Sequence, residues 1–263
     1  MDKINKNSST YKSSLNNFLN HHKISIIYLL LLTIIVSFIT YYRIMIQIEM
    51  GPVSDSVVFL ANAITYAGQG TGYSNLLFPP FFSFMVSLFF RLGYVYSSTL
   101  FVVDGLLYIF GVIGLYLLLR MRFNELESFL GGLLYATFPI VIVILGIGLS
   151  DLGSVSISIW AIYFLVLSIK RDSRFFYLAF PFAMLAFLTR YNSALLIFPI
   201  LGYLLMNRDK VNLKNIIIGI IAAILSIIPV LIFFYERFGN IIYPFINFAS
   251  TSTIVTVANK NPY

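Results

Sequence analysis

Apolar runs of bilayer length, separated by short polar and basic clusters, set the pattern of this chain. The first run covers residues 24–42 and ends in the interface residues Tyr41, Tyr42 and Arg43. A cleaved signal has an apolar stretch of only about 7–15 residues followed by a small-x-small site. Residues 24–42 fit neither condition and read as an anchor. Further runs lie at 98–119, 126–147, 154–169, 175–188, 194–206 and 216–235. The two that flank Arg190 are short, which predicts helices that stop below the surface and leave the arginine in a recess.

Residues 1–23 are rich in Asn, Ser and Lys without apolar periodicity, and are expected to form a disordered cytoplasmic tail. Residues 47–97 hold a polar, glycine-rich piece at 66–75 and then an apolar stretch at 76–92 with Pro79-Pro80 near its start. Charge decides whether that stretch spans. If it lies on the outer face, Lys3, Lys6, Lys12, Lys23, Arg120, Arg122, Lys170, Arg171, Arg174, Arg208, Lys210 and Lys214 fall inside. Arg43, Arg91, Arg190, Arg237 and Lys260 then fall outside, so the 17 basic residues divide 12 to 5. If it spans, the later loops invert and the division becomes 8 to 9. The first arrangement obeys the positive-inside rule and the second does not.

The expected fold class is therefore all-α: a polytopic α-helical membrane protein with about seven transmembrane helices and a juxtamembrane helix in the first outer loop. The organisation is a tail at 1–23, a transmembrane domain at 24–235 with its first outer loop at 47–97, and an outer-face tail at 236–263. Composition agrees. The chain is 59% hydrophobic and 10% charged, with mean hydropathy +0.91, whereas a soluble domain carries roughly 25% charged residues. The net charge of +7 sits in clusters between apolar runs, so it reads as membrane orientation and gives no reason to invoke nucleic acid. With no cysteine, disulfides and thiolate metal sites are excluded. The chain is placed in the cell membrane as a multi-pass protein with its N-terminus in the cytoplasm.

On this topology the outer face collects Glu49, Asp55, Asp151 and Glu236 with Arg91, Arg190 and Arg237, while Asp104 lies inside a span near its outer end. Such a gathering beside a long loop suits an anionic lipid substrate: arginines hold a phosphate and a carboxylate serves as base. The plainer readings stand beside this one. Asp55 and Asp151 could cap helices starting near Ser56 and Ser154, Arg190 could reach for headgroups, and Asp104 could be a hydrogen-bonded packing residue. Gly68-Gln-Gly-Thr-Gly72 lacks the preceding strand and the spacing of a phosphate loop and reads as a flexible link. His21-His22 has no companion ligands, Gly131-Gly132 reads as helix packing, and Pro139 as a kink. No metal site and no cofactor are expected, with a divalent cation left open.

The order of features also resembles a family. An acidic residue follows the first span in Gly51-Pro-Val-Ser-Asp55. Then come Leu77-Phe-Pro-Pro-Phe-Phe, Arg91-Leu-Gly93, Gly114-Leu-Tyr-Leu-Leu-Leu-Arg120, Ser150-Asp151, and Ala186-Phe-Leu-Thr-Arg190-Tyr191 running into Leu195 to Pro199. Over roughly residues 24 to 245 this is similar to the membrane glycosyltransferases of the GT-C fold, in the branch of dolichyl-phosphate-mannose protein mannosyltransferases and aminoarabinose transferases. The resemblance implies transfer of a sugar, with inversion, from a polyprenyl-phosphate donor at the outer leaflet to an acceptor it does not identify. It makes Asp55 the base and Asp151, Arg190, Tyr191 and Arg237 substrate-binding residues, with Arg190 and Arg237 at the leaving phosphate. Two departures are visible: Ser56 stands where many relatives carry a second acid, and the spans read here are fewer. Relatives often carry a soluble C-terminal domain, so the expectation is a minimal member, a fragment or one half of a split enzyme. Membrane lipid, and a separate C-terminal half as partner, belong to this expectation. A transporter or flippase of lipid-linked sugars, and a non-catalytic subunit of a split glycosyltransferase, are the rival readings.

Overall fold

The computed structural model describes the backbone at residues 2–70 and 74–248, with side chains from Lys23 onward within those limits. All regular structure among the described residues is helical. Helix α1 (Asp2–Met50) carries the first apolar run and stops at Gly51, whose φ of +75° no ordinary side chain adopts readily. Its backbone continues through residues 2–22, where the composition leads one to expect a disordered tail. The side chains of His21 and His22 lie outside the described residues.

Two short helices follow, α2 (Asp55–Tyr66) and α3 (Pro80–Arg91), and Pro80 at the start of α3 sits where a missing N–H costs nothing. They lie side by side. Phe59 meets Phe82 edge-on at 5.4 Å, Ser83 donates to the Phe59 carbonyl at 2.9 Å, and the Arg91 guanidinium donates to the Tyr66 carbonyl at 2.7 Å. The link between them is pinned by Asn62, whose amide group donates to the Asn75 carbonyl and accepts from its N–H. Residues 71–73 of the glycine-rich piece lie outside the described residues.

Helix α4 (Ser97–Leu119) is the central helix, with α1 on one side and α7 (Ser150–Lys170) on the other. Glycines permit this. A Cβ on Gly105 would lie 2.5 Å from Thr40 of α1, and one on Gly111 would lie 2.2 Å from the Ser156 hydroxyl of α7. Small residues let helix backbones approach in lipid, where no hydrophobic force drives association. The row continues from α7 to α8 (Phe176–Thr189), which follows a 3-10 turn at Ser173–Phe175, and from α8 to α10 (Leu213–Phe238). A 3-10 segment, Tyr191–Leu196, leads into α9 (Ile197–Met206).

The expected span at 126–147 is interrupted. It forms α5 (Glu125–Ala136), opened by a reciprocal Asn124–Glu127 capping box, and α6 (Pro139–Ile144). Pro139 has no N–H to continue the ladder, so the helix ends ahead of it. The carbonyls and amides freed by the interruption cannot turn to water in a bilayer and must find partners in the protein. Tyr108 of α4 donates to the Ala136 carbonyl at 2.8 Å, and Arg43 of α1 donates to those of Ile142 and Val143 at 3.1 and 3.3 Å. Asp104 of α4 accepts from the amides of Gly146 and Gly148.

Among the described residues, four helices are long and apolar enough to cross a bilayer: Lys23–Met50, Ser97–Leu119, Ser150–Lys170 and Leu213–Phe238. The other three expected spans are divided or short. Helix α8 has 14 residues, a rise of roughly 21 Å against a hydrocarbon core of about 30 Å. The chain ends of the bundle sort into two groups. At one end Tyr116 and Arg120 bond Ser25, Arg120 pairs with Glu125 at 2.5 Å, Lys170 reaches the Met121 carbonyl, and Asn215 meets Ser173 and Tyr177. At the other end lie Asp151, Arg190 and Tyr191.

If the α4–α7 contact depends on the absent side chain, Gly111→Val should destabilise the protein by about 1–3 kcal/mol through overpacking. Gly202→Ala, with nothing within 4 Å of the new Cβ, should not. Thermal midpoints of the two variants in one detergent provide the comparison.

Candidate functional site

Arg190 occupies the break between α8 and the 3-10 segment, with extended backbone at φ −154° and ψ 120°. Its guanidinium is ion-paired with Asp151. The sequence suggests Asp151 as a cap for a helix opening near Ser154. Instead α7 opens at Ser150, which puts Asp151 in its first turn, where the helix dipole favours a carboxylate, and leaves that carboxylate to Arg190. One turn on, Ser154 shares a 2.5 Å hydrogen bond with Ser193, which ties the segment after Arg190 to α7. The two charged side chains remain 42% and 34% exposed, so a ligand can reach them.

Tyr191 points its hydroxyl at the Leu77 carbonyl, 3.4 Å away, and its ring joins an aromatic cluster. Phe187, Phe245 and Phe248 each lie within 5.2–5.3 Å of it, ring centre to ring centre. Phe245 and Phe248 come from a helical stretch at 243–248, which follows the left-handed turn at Gly239 and folds back over the break. Residues 249–263, the rest of the expected outer tail, lie outside the described residues. Arg237, in the last turn of α10, is exposed.

Asp55 is the first residue of α2 and so does not cap it. That position belongs to Ser54, whose φ of +53° makes it the one non-glycine residue in the left-handed region among those described. Such backbone persists where surrounding contacts hold it. Here Ser56 does so: its buried hydroxyl takes the Val53 N–H at 2.7 Å and meets the Val53 carbonyl at 2.6 Å. Ser56, where relatives often carry a second acid, thus has a local task of its own. The Asp55 carboxylate is exposed and has no hydrogen bond or ion pair among the described residues. Among those residues no group of three His, Asp or Glu side chains is arranged to hold a metal ion.

A cavity of about 540 Å³ lies between the α2–α3 pair, α8 and α10. Phe81, Phe84, Leu185, Leu188, Pro229 and Phe233 make it apolar, and its volume falls within the roughly 300–1,000 Å³ of ligand clefts. Arg91 and Tyr66 supply polar groups at its wall. The Tyr66 hydroxyl is buried without a partner among the described residues, and burial holds its phenol well above the ordinary range, so it stays a donor. Leu188, in the lining, stands two residues before Arg190.

Helices long and apolar enough to cross a bilayer, and a helix break closed by polar side chains, define a multi-pass membrane protein. Residues 78–233 match the family of dolichyl-phosphate-mannose-protein mannosyltransferases. That is more than half of the chain, which belongs to this family and is a membrane glycosyltransferase of the GT-C type. No curated protein and no solved structure matches the chain. The matched residues contain Asp104, Asp151, Arg190 and Tyr191, while Asp55 and Arg237 fall outside them.

Sequence reasoning missed the cavity, because its lining comes from four separate elements. It also missed the return of 243–248 over Tyr191. The signal for that return is the density of aromatic residues from Phe233 to Phe248, which reads equally well as an interface belt. Phe245→Ala removes ring contacts to Phe187, Tyr191 and Phe234, each worth about 0.5–1.5 kcal/mol. The expected result is faster amide exchange across 243–248 with exchange in α4 and α7 unchanged.

Proposed function

We propose that the protein transfers a sugar from a polyprenyl-phosphate donor to an acceptor hydroxyl on the outer side of the membrane. Two observations carry this reading: an apolar cavity lined in part by Leu185 and Leu188 of α8, and the Arg190–Asp151 pair at the C-terminal end of the same helix. A polyprenyl chain needs an apolar groove and its phosphate needs a cation; α8 lines the one and is followed directly by the other. The basic end of the bundle is assigned to the cytoplasm by the positive-inside rule, which puts Asp55, Asp151 and Arg190 outside. In this assignment α8 and α9 complete further crossings on either side of Arg190, for about seven in all.

The chemistry follows from charge. Asp55, exposed and unpartnered, takes the proton of the acceptor hydroxyl. The oxygen attacks the anomeric carbon from the face opposite the phosphate, a new C–O bond forms as the sugar–phosphate C–O bond breaks, and configuration inverts. The leaving polyprenyl phosphate carries the negative charge to Arg190, a planar donor suited to phosphate. Asp151 holds that guanidinium in orientation, Tyr191 lines the approach, and Arg237 supplies a second cation once substrate is bound. Membrane lipid surrounds the site.

Transfer of labelled hexose from polyprenyl-phosphate hexose in proteoliposomes, with an extract of cell-surface acceptors, tests this. Asp55→Asn should lower kcat by about 10²–10⁴-fold, the usual contribution of a positioned base. Arg190→Ala should lower kcat/KM roughly 10- to 100-fold, as expected for a lost hydrogen bond to a charged group. Equal transfer by wild type and Asp55→Asn would remove Asp55 from the chemistry. Flipping of the labelled lipid without transfer would replace the enzyme reading with transport.

A further inference from the structure

Asp104 sits on α4 with no exposed surface, and only one of its carboxylate oxygens is engaged. Oδ2 accepts from the Gly146 N–H at 3.0 Å and from the Gly148 N–H at 3.2 Å, while Oδ1 is buried without a partner among the described residues. Both glycines have left-handed backbone, φ +78° and +83°, so the link between α6 and α7 can turn two amides toward one oxygen. The link is confined on its other sides as well. A Cβ on Gly148 would lie 2.6 Å from Leu100 of α4, and one on Gly146 would lie 3.5 Å from Ile44 of α1. Helix α7 opens at Ser150, two residues past Gly148, and Asp151 follows with Arg190 on its carboxylate.

We infer that Asp104 is a positioning residue for the transfer site. It fixes the α6–α7 link, the link fixes the first turn of α7, and that turn aims Asp151 at Arg190. The inference rests on the reading of Arg190 as the group that meets the donor phosphate. Asp104 itself is sealed from substrate, so it acts through the link alone. Arg43 and Tyr108 satisfy carbonyls at the same interruption but bond none of the amides that lead into α7. Without an acceptor at 104, two amides lose their only side-chain partner among the described residues, and the start of α7 is free to shift.

The test uses the full chain in lipid nanodiscs, with amide exchange and donor kinetics measured on the same preparations. Asp104→Ala should speed exchange across 145–151 and lower kcat/KM on the order of 10²-fold, as a displacement of about 1 Å at a site can, mainly through KM for polyprenyl-phosphate hexose. Asp104→Asn keeps an oxygen for both amides and should restore most of the protection and most of the affinity. In an Arg190→Ala background, adding Asp104→Ala should raise KM no further. Gly148→Ala strains the same link without touching Asp104 and should reproduce the KM defect, which covers the case in which Asp104→Ala fails to fold.

Three results would overturn the inference: Asn behaving as Ala does, additive losses in the Arg190→Ala background, or unchanged exchange in Asp104→Ala. If wild type transfers no sugar, the reading of the site falls instead, and the exchange comparison still decides whether Asp104 holds the link.

Discussion

A bilayer offers no hydrogen bonds, so any backbone group released from a helix inside it must be met by the protein. That constraint organises this structure most visibly at the interruption around Pro139. Stopping α5 and restarting as α6 frees carbonyls and amides from the helical ladder. Three polar side chains from neighbouring helices close them: Tyr108 on Ala136, Arg43 on Ile142 and Val143, and Asp104 on Gly146 and Gly148. Two of these come from α4 and one from α1, so the packing of those helices and the satisfaction of the interruption are a single arrangement. Gly105, which lets α4 approach Thr40 of α1, belongs to the same arrangement.

The site inherits its position from this. Helix α7 begins directly after the closed link, and its first turn carries Asp151. On the other side α8 stops at Thr189, leaving Arg190 extended in front of that turn. An arginine buried in lipid without a partner would be costly, and a carboxylate at a helix N-terminus is the cheapest partner the bundle offers. Partial exposure of both groups keeps the pair within reach of an anion, and a phosphate can compete for the guanidinium that Asp151 holds. The apolar cavity lies between the α2–α3 pair, α8 and α10, with Arg91 and Tyr66 as polar groups at its wall.

Much of the fold was legible in the sequence because the physics that decides it is local. Four runs of apolar residues long enough for a bilayer announce their helices by composition alone, and the distribution of lysine and arginine announces a polar direction. The residues gathered at one end, Asp151, Arg190 and Tyr191, were also legible, because the order of spans carries each of them to that end. What local reasoning missed was how they would be used there. Asp151 reads as a cap until one knows that α7 starts at Ser150, and Asp55 reads as a cap until Ser54 takes that position.

The sequence by itself determined the class of protein and the places of its long apolar helices, since these follow from how much apolar length each segment carries. Only the tertiary structure decided which helix is interrupted and how, what Asp104 holds, that Asp151 faces Arg190, and that four distant segments enclose an apolar cavity. The reason is the range of the interactions. Hydropathy is summed along the chain, but a hydrogen bond from α4 to the α6–α7 link, or an ion pair from α7 to the end of α8, exists only once the helices have packed.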